Sequence, residues 1–396
     1  MSTDDLERIF QRAKQGKALF KDREVLTPDY IPARLPFRDA QSSAIAEVLA
    51  PVLHGSKPSN LLLYGKTGTG KTAVARYVLS KLKEQTDTQD LTTVYVNTRL
   101  ANTEYRTLAE LGGTLGLKLP FTGLSMGELL SRVEQEIQAR HTRVILVLDE
   151  IDYLVKNSTD EILYGLTRSN EQLSPGFLSL VGISNDLQFK ESLDPRVLSS
   201  LSEEELVFPP YTVTELQEIL AERAGLAFRK GAMSSSAINL CAAIAGSEHG
   251  DARRAVDLLR ISGEVAEREG LEQVDDESVR KASAKMEQDR IDEALRSLPI
   301  QNKAILLASS RFPSGTNTGE LYIAYNNICK RSGLEVLTQR RVSGILAELD
   351  LLGLVEASVV SQGRRGRTKR IRLLIGLDKL EKILAEDPTF EAINRT

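Results

Sequence analysis

Cysteine is scarce in this 396-residue chain: only Cys241 and Cys329 occur, and neither has a near partner in sequence. That scarcity argues against a disulfide framework or a zinc site and suits a reducing cytoplasm. Long apolar runs are also missing. No window approaches the ~18 uninterrupted apolar residues that span a bilayer, so no membrane partner is expected. The N-terminus, Met1-Ser-Thr-Asp-Asp-Leu6, is acidic and polar, which argues against a signal or transit peptide. Internal repeats and low-complexity tracts are absent as well.

What remains is an ordinary globular composition, 41% hydrophobic and 27% charged. The length predicts two or three domains. A net charge of −4 would by itself oppose a nucleic-acid partner, but the charge is uneven. From Ile300 onward there are 15 Lys and Arg against 10 Asp and Glu, a net of +5; residues 1–299 carry 36 against 45, a net of −9. An acidic body with a basic C-terminal part suggests two jobs.

The first twenty residues read as a charged arm, and Pro28, Pro32 and Pro36 punctuate an extended stretch after it. A helix is predicted around Asp39–Leu53. Short apolar runs at Asn60–Tyr64, Thr92–Asn97, Val144–Leu148, Leu178–Ser184 and Glu205–Phe208 predict buried strands. Helical patterns at Thr72–Lys83, Tyr105–Leu115, Met126–Arg140 and Asp160–Leu173 alternate with them. This alternation predicts an α/β fold with a parallel sheet covered on both faces. After Pro209-Pro210 the strand signals stop, and helical spacing over 211–298 predicts an all-helical second domain. From 299 onward, three helices and a β-hairpin form the pattern of a winged helix. The domain expectation is therefore an arm over 1–20, an α/β domain over 21–210, a helical domain over 211–298 and a winged helix over 299–396.

Gly65-Lys66-Thr67-Gly68-Thr69-Gly70-Lys71-Thr72 satisfies G-x-x-x-x-G-K-[ST] between a strand and a helix. Its glycines let backbone N–H groups turn inward around phosphates, and the following helix, with Ala73 in its first turn among the binding candidates, adds its positive end. Lys71 is placed for the β/γ-phosphates and Thr72 for Mg²⁺. In Val144-Ile-Leu-Val-Leu-Asp149-Glu150, a buried strand delivers Asp149 to the sheet's C-terminal edge, where ligands bind. Asp149 would hold Mg²⁺ and Glu150 would polarise the attacking water. Asp152 reads as a helix-start or loop carboxylate. ATP or ADP with Mg²⁺ is the expected cofactor.

The order of these motifs, followed by Val181-Gly-Ile-Ser-Asn185, resembles an AAA+ ATPase. The resemblance implies a helical lid over the nucleotide and assigns Asn185 as sensor 1. It also gives Arg196, in Leu193-Asp-Pro-Arg196, as an arginine finger, and Arg253, in Gly250-Asp-Ala-Arg253, as sensor 2. Arg196 has a second reading as an exposed surface arginine.

Outside the motor, Leu26-Thr-Pro-Asp-Tyr-Ile31-Pro32 and Leu35-Pro-Phe-Arg38 resemble the N-terminal signature of archaeal origin-recognition initiators. In that family this stretch wraps the adenine, which implicates Ile31, Pro32 and Arg38. Tyr64, Tyr211 and Ile219 are further candidates that core packing also explains. The stretch Asn97-Thr-Arg99, Tyr105-Arg106 and Leu119-Pro-Phe-Thr-Gly-Leu-Ser125 resembles the family's DNA-contacting insertion, with Pro120, Thr122, Gly123 and Leu124 at its tip. An ordinary loop between helices is the other reading.

In the basic C-terminal part, Thr338 reads as an N-cap, and Val342, Ile345, Leu346 and Leu349 recur at helical spacing. The polar face, with Arg340 and Arg341, would be free to enter a major groove, although spacing leaves open which arginine faces outward. Ser361–Arg372 supplies six basic residues and no acid. As a wing, Arg364, Arg365, Arg367 and Lys369 would meet phosphates or a minor groove; a solvated basic loop is the alternative. The resemblance implies an ATP-controlled initiator with slow hydrolysis. Its expected partners are double-stranded origin DNA, the replicative helicase (the minichromosome maintenance complex) and further copies on DNA, in a cytoplasmic, nucleoid-associated setting. Two rivals are a nucleotide-sensing transcription regulator of the STAND type and a clamp-loader-like subunit.

Overall fold

The computed structural model describes residues 18–28, 30–86, 90–120, 122–157, 160–201, 203–361 and 367–390. The chain divides into two compact units, 1–283 and 284–396.

The first unit is built on five parallel strands, β1 Leu61–Tyr64, β2 Leu91–Asn97, β3 Arg143–Asp149, β4 Phe177–Ser184 and β5 Glu204–Val207, in the order β2-β3-β4-β1-β5. Side chains alternate across the sheet. Val144, Leu146 and Leu148 enter one core with Leu111, Val133 and Leu166 from helices Glu104–Thr114, Met126–Arg140 and Glu161–Arg168. Ile145 and Val147 enter the opposite core with Leu49 and Val78 from helices Asp39–Leu49 and Lys71–Glu84. Burial on both faces explains why these strands read as unbroken apolar runs rather than alternating ones. The register sets Asn97 beside Asp149, Asp149 beside Ile183 and Tyr64 beside Ser184, so the chemistry-bearing residues share one edge.

Helices Val213–Ala227, Ser235–Ser247 and Ala252–Glu269 complete this unit, and helix Asp276–Ser297 follows them. Thr212 opens the first with a capping box: its hydroxyl accepts from the Glu215 N–H while Glu215 accepts from the Thr212 N–H. The predicted helix over Asp160–Leu173 is shorter, Glu161–Arg168 with a 3₁₀ turn at Ser169–Glu171.

The second unit packs helices Ile300–Ser310, Thr318–Ser332 and Gln339–Leu351 against a three-stranded sheet. Its strands are β6 Thr316–Asn317, β7 Val355–Ser361 and β8 Arg367–Leu373, in the order β6-β8-β7. The hairpin of the sequence reading is thus joined by a third, two-residue strand. A further helix, Leu377–Ala385, was not anticipated; it buries Leu380, Ile383 and Leu384. Cys241 and Cys329 are both free and buried. No helix of the described residues is long and apolar enough to cross a membrane.

Candidate nucleotide site and DNA-facing surfaces

A cavity of about 520 Å³ lies at the C-terminal edge of the five-stranded sheet. Thr67–Ala73 form its floor, with Asp149, Glu150, Asn185, Tyr211, Ile219 and Arg253 around it. The extended segment from Leu26 to Pro36 supplies one wall, including Ile31 and Pro32.

The P-loop is held by contacts far apart in sequence. Gly65 has φ +156°, and a Cβ there would lie 2.4 Å from the Phe208 carbonyl oxygen. Gly68 has φ +72°, and a Cβ would collide with the Asp251 carboxylate. Asp251 caps helix Ala252–Glu269, whose first residue donates its N–H to the Gly68 carbonyl at 3.1 Å. That contact carries Arg253 to the cavity.

Arg38 is buried but does not line the cavity. Its Nε donates to the Thr69 carbonyl at 2.9 Å, one terminal nitrogen donates to the Pro209 carbonyl at 2.7 Å, and the guanidinium lies 3.7 Å from the Tyr211 ring centroid. Burial lowers its pKa, a cost the surrounding acceptors offset. The residue holds the floor and the Tyr211 wall together. Gly65 and Lys66 likewise do not line the cavity. Tyr64 is half-buried against the core, with its hydroxyl bonded to Glu205 at 2.9 Å, outside the cavity.

At the chemical end, the Thr72 hydroxyl donates to Asp149 Oδ2 at 2.7 Å, and Asp149 Oδ1 accepts the Glu150 N–H at 2.9 Å. A hydroxyl and a buried carboxylate in contact, beside a phosphate-sized loop, are the hard oxygen donors a Mg²⁺–nucleotide complex takes. Lys71 is 4% exposed and donates to the carbonyls of Gly65 at 2.7 Å and Lys66 at 2.8 Å. Burial pushes its pKa down to about 8, against the attraction of Asp149 and Asp152. Glu150 has φ +55°, an uncommon left-handed conformation for a side-chain-bearing residue. Thr98 fixes that turn by donating to the carbonyls of Asp149 and Glu150. The Glu150 carboxylate meets Asn97 Nδ2 at 3.4 Å and Arg99 at 3.6 Å. Asp152, read only as a helix-start or loop carboxylate, lies in the first turn of helix Ile151–Asn157 and accepts from Ser184 Oγ and the Asn185 N–H, which fixes Asn185 at the cavity.

Arg196 lies outside the cavity, largely exposed and paired with Asp194 at 3.0 Å. Sequence reasoning missed Tyr95 and Arg76, which both line the cavity. Tyr95 donates to Asp149 Oδ2 at 2.6 Å, and burial with this bond raises its pKa to about 12, so it is a donor at physiological pH. Its alternation with Asn97 on β2 was the available signal.

In the stretch resembling a DNA-contacting insertion, Pro120, Thr122 and Gly123 are exposed. Leu124 packs partly against the core, and Tyr105 closes the loop by donating to the Pro120 carbonyl at 2.6 Å. In the second unit, helix Gln339–Leu351 buries Val342, Ile345, Leu346 and Leu349 and leaves both Arg340 and Arg341 exposed. Thr338 caps it, its hydroxyl accepting from the Arg341 N–H. Lys369 is half-buried on β8. Arg372 is paired across the sheet with Glu356. Arg364 and Arg365 lie outside the described residues, as does the side chain of Arg367.

Three family models match in chain order: an AAA domain over 54–189, a Cdc6 AAA+ ATPase-type lid domain over 217–284, and a CDC6 C-terminal winged helix domain over 293–383. The chain is 46% identical to the ORC1-type DNA replication protein of Pyrococcus horikoshii, covering 98% of this chain and 95% of that one. It is 48% identical to ORC1-type DNA replication protein 1 of Sulfurisphaera tokodaii, covering 93% of each. Among solved structures, the ORC1 protein of Aeropyrum pernix in complex with DNA superposes with a TM-score of 0.85 at 46% identity, covering 95% of this chain and 99% of that one. Similarity of this extent over nearly the whole length, with all three domains matched, places the chain in the ORC1-type DNA replication protein family of AAA+ ATPases.

Proposed function

We propose that this protein is an ATP-controlled replication initiator that binds double-stranded origin DNA and helps recruit the replicative helicase, the minichromosome maintenance complex. The observation that carries the DNA half is helix Gln339–Leu351, which buries one face and leaves Arg340 and Arg341 exposed at its N-terminal end, as a groove-reading helix requires. The solved DNA complex of the Aeropyrum pernix relative supports the same assignment.

In the motor, Lys71 and the P-loop N–H groups would hold the phosphates of ATP or ADP. Thr72 and Asp149 would hold Mg²⁺, which neutralises phosphate charge when bound. Glu150 would orient and deprotonate the attacking water. Asn185 and Arg253 would face the terminal phosphate, and Arg253, carried on the lid, would sense whether it is present. Ile31, Pro32 and Tyr211 would enclose the base, with Arg38 fixing their frame. Hydrolysis would be slow, resetting a switch rather than driving a motor, and Arg196 would act on the nucleotide of a neighbouring copy on DNA. Arg340 and Arg341 would read the major groove. The exposed Pro120, Thr122 and Gly123, with the half-buried Leu124, and Arg364, Arg365, Arg367 and Lys369 would contact backbone or minor groove.

Genome-wide crosslinking and immunoprecipitation of the tagged protein in its native cells tests the origin reading. A few sharp peaks at replication start sites are expected; peaks confined to promoters would favour a transcription regulator instead. The wing has its own test. Replacing Arg364, Arg365 and Arg367 by Ala should weaken DNA binding and flatten its salt dependence by up to ~0.9 log unit per lost phosphate contact. An unchanged slope in fluorescence anisotropy would return this segment to a solvated loop.

A further inference from the structure

Strand β2 buries Val94 and Val96 in the core and turns Tyr95 and Asn97 to the cavity. The Tyr95 hydroxyl reaches Asp149 Oδ2 at 2.6 Å, the oxygen that also accepts from Thr72 at 2.7 Å. Oδ1 is taken by the Glu150 N–H at 2.9 Å. The carboxylate therefore accepts from three directions, and only Tyr95 belongs to neither the P-loop helix nor the turn after β3. Arg76, one turn beyond Thr72, lays its guanidinium 4.1 Å from the Tyr95 ring centroid. The ring is thus anchored from β2 and covered from the P-loop helix, which fixes the direction of its hydroxyl.

A carboxylate turns readily about its Cβ–Cγ bond, and a donor from an adjacent strand sets its plane. We propose that Tyr95 is a positioning residue for the nucleotide's divalent cation, aiming the Asp149 carboxylate at Thr72 through its hydroxyl. The proposal rests on the reading of Thr72 and Asp149 as the Mg²⁺ site. Mg²⁺ demands near-ideal octahedral geometry, so a carboxylate free to turn holds it poorly. Partners that orient a metal's ligands are typically worth about 10–100-fold in metal affinity.

Tyr95→Phe keeps the ring on which Arg76 lies and removes the hydroxyl. Full-length wild type and variant, freed of nucleotide, would be titrated with methylanthraniloyl-ADP in EDTA and over a series of Mg²⁺ concentrations. For the variant, the Mg²⁺ concentration that half-maximally tightens binding should rise about tenfold or more. Its affinity in EDTA and its thermal unfolding midpoint should match wild type. An unchanged Mg²⁺ midpoint overturns the proposal. An equal loss with and without Mg²⁺ also overturns it, because Tyr95 would then be part of the cavity wall only. Wild type indifferent to Mg²⁺ overturns the metal reading of Thr72 and Asp149, and the proposal with it.

Discussion

Lys71→Ala should abolish ATP and ADP binding, weakening affinity by about 100-fold or more, as isothermal titration calorimetry would show. The reason lies in the surroundings of Lys71. The ammonium is buried, donates to the carbonyls of Gly65 and Lys66, and has its pKa lowered by burial to about 8 from an ordinary 10.5. Phosphate oxygens would replace those neutral acceptors with charged ones, which bind an ammonium more strongly. A pH signature follows. Below about pH 8 the ammonium is already charged, and binding requires no proton. Above that value binding must take up a proton, so affinity should fall by up to about tenfold per pH unit. Unfolding does not explain the effect, because the sign of the stability term is opposite. With its pKa lowered in the fold, Lys71 carries fewer protons folded than unfolded between about pH 8 and 10.5, so its contribution to stability rises with pH in that window. A flat affinity profile in wild type would mean that the Lys71 ammonium stays charged across this range, and unchanged affinity in Lys71→Ala would remove Lys71 from the phosphates.

Glu150→Gln should leave ATP binding intact and lower single-turnover hydrolysis by roughly 10²–10⁴-fold. The amide keeps the size and reach of the side chain beside Asn97 and loses only the ability to take a proton. The left-handed backbone at Glu150, held by Thr98, presents the carboxylate to the cavity and not to the sheet. Measuring cleavage of labelled ATP by excess protein separates this step from product release. Normal hydrolysis by the variant would transfer the general-base role away from Glu150.

The part of the site that could be read directly is the part contiguous in sequence. Gly65–Thr72 and Val144–Glu150 each place a whole functional unit on one strand and its following turn, where backbone geometry fixes the spacing. Helices Met126–Arg140, Ala252–Glu269 and Thr318–Ser332 begin and end at the residues that periodicity indicates, because local caps and apolar stripes decide such boundaries. Helix Leu377–Ala385 escaped notice although its buried residues keep helical spacing; it is nine residues long and follows Gly376, which offers no side-chain cap.

The sequence by itself determined a parallel α/β ATPase domain, a helical lid, a winged helix and the glycine-rich turn Gly65–Thr72 between a strand and a helix. Only the tertiary structure decided that Arg38 stands behind the cavity wall, that Arg196 lies outside the cavity, and that Tyr95 bonds to Asp149. It also decided that Gly68 must be bare to admit Asp251 from the lid. The physical reason is separation along the chain. Strand and helix signals come from neighbours a few residues apart, whereas Arg38 meets Pro209 across 171 positions and Tyr95 meets Asp149 across 54. Such contacts exist only once the register β2-β3-β4-β1-β5 has brought their elements together.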